Sequence, residues 1–407
     1  MTTDPTAEPT AERVAGLGRA FHVLWASTSL TNLADGVLLV GVPLLAVSLS
    51  ADPMPVALVS VATTLPWLLL SLHAGAIADR ADRRRIVAAA GWTRAAVLAA
   101  AASAAWLGWL SLPLLIAAVL LAGIAEVFAD TAAQSVLPMT VAADRLPAAN
   151  GRLTATQTLG NHFAGAPLAG LLVGLSASAV FGAASLLYLL GALVLIGMSG
   201  RFRVEPGAAR TTLTGDIKAG LRFLWGHRAL RSLTAFTGLV NLANGGYFAV
   251  FVLWVAGPGS VVGLTPQAYG LLAATLAVGA VAGSVLASAL GGLLGQIRTL
   301  VLITLVNGVL LLVPLPAPVP WAVFAAAAGL GLANAVTNVI AVSRRQSLIP
   351  GELLGRVNAA CRLVGSGAMP VGAALAGVVG TMAGVPAVFW VAAALCLAGA
   401  AVVTRGG

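Results

Sequence analysis

Four ionisable side chains stand inside stretches otherwise made of Ala, Leu, Val and Gly: Asp35, Arg94, Glu126 and Asp130. A charge in an apolar slab is costly, so each is a candidate for function. One cation with three carboxylates suits reversible proton binding. A carboxylate without a partner in such surroundings favours its neutral form, and a nearby guanidinium favours the ionised one. Other chemistries lack their parts. No His/Glu or Ser/His/Asp constellation is present, so the chain is read as not an enzyme, with no catalytic residues. The only lysine is Lys218, and no Gly-x-x-x-x-Gly-Lys-Ser/Thr loop exists to hold ATP. Cys361 and Cys396 fall in apolar runs as small buried residues, with no disulfide framework or metal-ligand spacing, and no cofactor is expected.

The elements that position these groups follow from composition. Mean hydropathy is +0.98. Hydrophobic residues make up 59% of the chain and charged ones 9%, against about 25% in a soluble domain. Apolar runs of about 20 residues recur along the chain, as bilayer spans require. The expected fold is an all-α membrane protein with spans near 21–48, 54–78, 85–108, 112–136, 153–175, 178–200, 230–255, 266–292, 297–314, 319–342, 358–381 and 383–404.

Depth along a helix, at about 1.5 Å per residue, decides which charges meet. Arg94 comes about 14 Å into the third span and Glu126 about 15 Å from the end of the fourth, so these two are expected to pair. Asp130 lies one turn from Glu126 on the same face, nearer the cytosol. Asp35 sits about 21 Å from the cytoplasmic end of the first span, with no fixed partner expected at its level. It is therefore the leading proton carrier. His73 and His162 are read as packing residues.

Of the loops between spans, those after the even-numbered spans hold Arg and Lys and those after the odd-numbered ones hold none, which assigns the former and both termini to the cytoplasm. The net charge of +9 is thus a topology signal and implies no nucleic-acid partner. Residues 1–19 read as a disordered cytosolic tail, 20–200 as an N-terminal six-helix bundle, 201–229 as a cytoplasmic linker and 230–407 as a C-terminal six-helix bundle. Within the linker, Ile217, Leu221, Leu224 and Trp225 share one face of an amphipathic helix, with Lys218, Arg222 and Arg228 on the others.

The two halves repeat one another. Asn32-Leu33-Ala34-Asp35-Gly36 returns as Asn241-Leu242-Ala243-Asn244-Gly245, a shift of 241 − 32 = 209. Gln134-Ser135-Val136-Leu137-Pro138 returns as Gln346-Ser347-Leu348-Ile349-Pro350, a shift of 346 − 134 = 212, and Ala169-Gly170 as Ala376-Gly377, a shift of 376 − 169 = 207. Two parallel six-span halves around a midplane site are a transporter pattern. Asp35 faces a neutral Asn244, and a shift of 212 sets Glu126 opposite Asn338. The titratable machinery is thereby concentrated in the first half. Asn32, Asn241, Asn244 and Asn338 become candidates for neutral contacts to a substrate.

The loop after the second span reads Gly75-Ala76-Ile77-Ala78-Asp79-Arg80-Ala81-Asp82-Arg83-Arg84-Arg85. It resembles the motif between the second and third helices of the major facilitator superfamily, Gly-x-Leu-Ala-Asp-Arg-x-Gly-Arg-Lys, with Asp82 in place of the second glycine. The resemblance implies a conformational latch formed by Gly75, Asp79, Arg80, Arg83 and Arg84, in which Gly75 lets two helices approach closely. The linker segment Asp216–Leu224 and the loop Gln346–Asn358 are similar to the branch of macrolide and siderophore exporters. Gly165, Pro167 and Gly170 resemble the helix-bending motif of the superfamily's antiporters, with Ala166 inserted. The arginine usual in the fourth span of its drug–proton antiporters is absent, so that either Arg94 serves that role or coupling differs from theirs.

The expected function is a secondary transporter exporting a small, amphipathic molecule (a drug, siderophore or secondary metabolite) by proton antiport and alternating access. The alternatives are a proton-coupled importer of the same fold and a non-transporting receptor or scaffold. Expected partners are the lipid bilayer, the small-molecule substrate and protons. The chain is read as a monomer in the inner (cytoplasmic) membrane.

Overall fold

The structure is a computed structural model, which describes residues 17–78, 80–198, 202, 222–349 and 354–406. The tail before residue 17, Asp79 and most of the linker, with Ile217, Lys218 and Leu221, lie outside the described residues.

The first half comprises α1 (Gly18–Leu49), α2 (Pro53–Ala78), α3 (Arg83–Trp106), α4 (Leu112–Val136), α5 (Leu146–Thr158), α6 (Ala166–Leu175) and α7 (Ala177–Val194). The second comprises α8 (Arg228–Val255), α9 (Pro266–Leu294), α10 (Gln296–Leu312), α11 (Pro320–Leu348), α12 (Leu354–Ala383) and α13 (Val385–Gly406). Among the described residues, ten helices are long and apolar enough to cross a membrane, and α10 is a shorter apolar helix. The remaining span is α5 and α6 joined by a π-helical stretch, Leu159–Gly165. The twelve helices form two bundles, as expected.

The π stretch has a local cause. Pro167 offers no N–H, and its ring crowds the carbonyl four residues back, so the helix cannot continue with ordinary spacing. It widens instead, and Ala166 donates its N–H to Asn161, five residues earlier. The bend expected from Gly165, Pro167 and Gly170 thus takes the form of a widened turn, and it carries Asn161 and His162.

Glycines fix how the spans cross. A Cβ at Gly36 would run into the backbone of Gly160 and Asn161, and one at Gly245 would lie 2.6 Å from the carbonyl oxygen of Met369. The repeated glycine therefore lets α1 and α8 each cross the fifth span of its own half closely. The other repeated glycines join the halves. A Cβ at Gly170 would lie 2.5 Å from the Pro266 carbonyl oxygen, and one at Gly377 would lie 2.8 Å from Met54 Sδ. These are two equivalent seams, α6 against α9 and α12 against α2.

Both seams lie at the end of the molecule away from the termini, where a cluster of buried apolar residues runs through both halves, from Val47 and Val56 to Val255 and Leu264. Towards the termini, the cluster around Phe21, Ala132 and Leu195 belongs to the first half alone. The clusters around Leu300 and around Val357 belong to the second. The halves are packed together at the far end and keep separate cores at the end carrying the termini.

Candidate functional site

The buried charges converge. Arg94 of α3 is 3% exposed and reaches two carboxylates with one nitrogen, Nη2. It donates to Asp35 Oδ1 of α1 at 2.5 Å and to Glu126 Oε2 of α4 at 3.3 Å. Tyr188 of α7, fully buried, donates its hydroxyl to the same Asp35 oxygen at 2.6 Å. That hydroxyl also accepts from Arg94 Nη2. The guanidinium lies over the Tyr188 ring, with Cζ 3.9 Å from its centroid. With both carboxylates ionised, two anions surround one cation, leaving the cluster one negative charge in excess.

Two expectations are corrected here. Asp35 does have a fixed partner, and Arg94 pairs more closely with it than with Glu126. Counting residues from a span's end ignored that an arginine side chain spans several ångströms of depth. Tyr188 was missed because an uncharged aromatic in an apolar run reads as packing. Its signal was scarcity: the chain has only 3 Tyr.

The cluster opens on a cavity of about 540 Å³, lined by Asp35, Arg94 and Glu126. That is within the usual range for small-molecule sites. Thr63 and Trp67 of α2, with Asn161 and His162 of the π stretch, complete the first-half wall. His162 thus faces the cavity, where the sequence suggested packing. The second-half wall is aromatic and, among the described residues, carries no charge: Tyr247, Phe248 and Phe251 of α8 and Tyr269 of α9, with Asn244 as a polar point. Tyr247 stacks on Phe251 at 4.9 Å between centroids and packs on Phe389 at 4.6 Å.

Of the four asparagines proposed to meet substrate, Asn244 lines this cavity. Asn32 donates its amide to the Thr28 carbonyl one turn back in α1 at 2.8 Å, and Asn241 donates to the Gly365 carbonyl of α12 at 2.9 Å, so the first is tied to its own helix and the second joins two helices. Asn338 is exposed and away from the cavity wall. The counterpart of Glu126 is Asn334, at a shift of 334 − 126 = 208, which accepts a hydrogen bond from Asn244 at 2.9 Å. The shift of 212 came from a repeat at the helix end, and the second-half helix is longer, 29 residues against 25. Asp130 lines no part of the cavity, and no hydrogen bond or ion pair of its side chain is found among the described residues.

Two of the latch candidates, Arg83 and Arg84, bond to carbonyls of the first half. Arg83 donates from Nε to Ala78 at 3.0 Å and from Nη1 to Ser135 at 2.9 Å, capping carbonyls at the ends of α2 and α4. Arg84 does the same for Leu195 and Ile196 after α7, at 3.1 and 2.9 Å. Asp82, which stands where the motif has glycine, caps α3 by accepting from the Arg84 N–H at 3.0 Å. Arg80 is exposed. A Cβ at Gly75 would meet nothing within 4 Å, so the close helix approach expected there is not made while the halves are apart at this end.

The family described as "Transmembrane secretion effector" matches residues 15–406. The chain belongs to the major facilitator superfamily. It is therefore a multi-pass membrane transporter and not an enzyme. It is 30% identical over 243 residues to "Multidrug efflux pump Tap" of Mycobacterium tuberculosis (strain H37Rv). That stretch covers 56% of this chain and 55% of the relative, so the chain spans about half the length of that relative. It is 28% identical over 368 residues to "Uncharacterized MFS-type transporter y4rN" of Sinorhizobium fredii, covering 88% of each. Among solved structures, a mutant of the nucleoside transporter NupG is similar at a TM-score of 0.76 and 13% identity, covering 95% of this chain and 99% of that one. A bacterial homologue of the iron transporter ferroportin in an inward-facing state is similar at 0.75 and 16%, covering 95% and 98%. These likenesses concern the fold alone.

Proposed function

We propose that this transporter exports a small amphipathic molecule in exchange for protons, with Glu126 as the exchanging carboxylate. The observation that carries the reading is the sharing of one arginine nitrogen between two carboxylates on the wall of a drug-sized cavity. Asp35 receives two short hydrogen bonds and is held as the standing counter-ion of Arg94. Glu126 receives one long contact, and its side chain is 32% exposed against 19% for Asp35. Geometry therefore favours Glu126 for the role that depth alone gave to Asp35. A proton on Glu126 removes the excess negative charge of the cavity, and its loss restores it.

The positive-inside pattern orients the cycle. The termini face the cytoplasm, the glycine seams face outward, and the cavity of this state is reached from the cytoplasm. Substrate enters there against the aromatic wall. Rocking of the halves then opens the α6–α9 and α2–α12 seams and closes the other end, where Gly75 and Arg80 await a surface from the second half. Export is favoured by the likeness to an efflux pump.

The test uses inside-out vesicles with an imposed pH gradient and ethidium as the probe. Wild-type vesicles should accumulate ethidium when the lumen is acid, and Glu126→Gln vesicles should not respond to the gradient. A Glu126→Gln variant that responds like wild type would rule out the proposed role. Accumulation by neither gradient direction in the wild type would count against export of this class of molecule.

A further inference from the structure

Two carboxylates that share one arginine pose a choice, because a single proton can sit on either. What distinguishes them is a group on a fourth helix. Tyr188 of α7 places its hydroxyl between Arg94 and Asp35, accepting from the first and donating to the second at 2.6 Å. Its ring supports the guanidinium from beneath, 3.9 Å away. We propose that Tyr188 is a positioning residue that keeps the exchangeable proton on Glu126 by holding Asp35 ionised.

The supply of hydrogen-bond donors decides between the two acids. An ionised carboxylate is stabilised by each donor aimed at it, and donors shared with a charged group count for more than neutral pairs. Asp35 Oδ1 has two such donors, from Arg94 and Tyr188, while Glu126 Oε2 has the single contact at 3.3 Å. A protonated Asp35 would leave the wholly buried Tyr188 hydroxyl only a neutral carboxyl oxygen to donate to, which is a weaker acceptor than a carboxylate. Protonating Glu126 weakens no bond but its one long contact. The charged and titratable groups around Tyr188 all enter this balance. α1 brings Asp35, α3 brings Arg94, α4 brings Glu126 with Asp130 a turn away, and the π stretch brings His162 to the cavity. α2 adds only Thr63, Thr64, Ser60 and Trp67 among the polar groups on the cavity wall.

The second half supports the same logic by contrast. The position equivalent to Tyr188, at a shift of 396 − 188 = 208, is Cys396, which accepts from Asn307 at 3.5 Å. Where there are no carboxylates to choose between, the hydroxyl is gone.

The consequence for exchange rests on the antiport reading, whereas the test does not. The full-length protein in lipid nanodiscs would be titrated with protons alone, and its carboxylic-acid bands followed by infrared difference spectroscopy with carbon-13-labelled glutamate or aspartate. In the wild type, the titrating band lost in Glu126→Gln should move with the glutamate label, and no titrating aspartate band should be lost in Asp35→Asn. In Tyr188→Phe, which keeps the ring under Arg94, an aspartate-labelled band that vanishes in Tyr188→Phe/Asp35→Asn should appear. A loosened fold would not choose between the two labels, so this readout separates positioning from general support. An Asp35 band in the wild type, no titrating glutamate band, or an unchanged pattern in Tyr188→Phe overturns the proposal. The wild-type result requires no variant at residue 188, so poor folding of Tyr188→Phe does not rescue a wrong assignment. If Glu126 titrates alone but a pH gradient drives no transport, antiport fails and the role of Tyr188 stands.

Discussion

Asn244 donates its side-chain amide to Asn334 at 2.9 Å, at the positions where the first half sets Asp35 and Glu126 around Arg94. The shifts agree, 244 − 35 = 209 and 334 − 126 = 208, so one neutral pair replaces one charged cluster. The second half keeps the geometry of the repeat without its charge.

Returning the acid to the second half should therefore be harmful. Asn244→Asp places a carboxylate at a position 9% exposed, with the neutral Asn334 as its neighbour in place of an arginine. We expect a loss of about 2–4 kcal/mol near neutral pH, easing in acid where the new carboxyl carries a proton. Thermal unfolding in detergent at two pH values measures this. Equal melting temperatures for variant and wild type at neutral pH would contradict it.

Arg94→Met should be the most damaging single change in the site, costing about 3–5 kcal/mol because two carboxylates lose the cation they share. Adding Asp35→Asn should recover part of that loss. A double-mutant cycle is expected to give a coupling of at least about 1 kcal/mol, and additive effects would mean that the pair does not interact as described.

Pro167→Ala should restore ordinary helical spacing and close the π stretch. Residues 161 and 162 would then turn about 100° relative to α6, which takes Asn161 and His162 off the cavity wall. The expected result is unchanged or higher thermal stability with much reduced transport of the probe. Full transport would show that the widened turn is dispensable.

Gly170→Val should keep the α6–α9 seam from closing, since even a Cβ there would lie 2.5 Å from the Pro266 carbonyl oxygen. An Ala326→Cys reporter on the cavity wall should then react faster with an impermeant thiol reagent added to intact cells. Cys361 and Cys396 are buried and serve as an internal control. Unchanged labelling would mean that this seam does not govern access.

The spans were legible because a bilayer demands long apolar runs, and their edges were mostly met within a few residues. The fifth span departs most, starting at Leu146 rather than 153, because its first turns are polar. The repeats were legible as well, but their physical reason was not. Gly36, Gly170 and Gly245 are held in place by backbones that approach from other spans, and no local pattern announces such a crossing. The acids and Arg94 could be named from cost alone. Their pairing could not, since it depends on helix rotation and on side-chain reach. Asn334 was hidden by a register borrowed from a helix end, and Tyr188 by having no charge.

The two far-end seams contain Val47, Pro53, Met54, Ala57, Pro266 and several glycines, and none of the side chains named there is ionisable. Closing them removes apolar surface from water and fixes no charge. The open–closed balance at that end should therefore carry a heat-capacity change and respond little to ionic strength. Cooling weakens such a contact. At low temperature this transporter should spend more of its time with the outer gate ajar, whatever the pH.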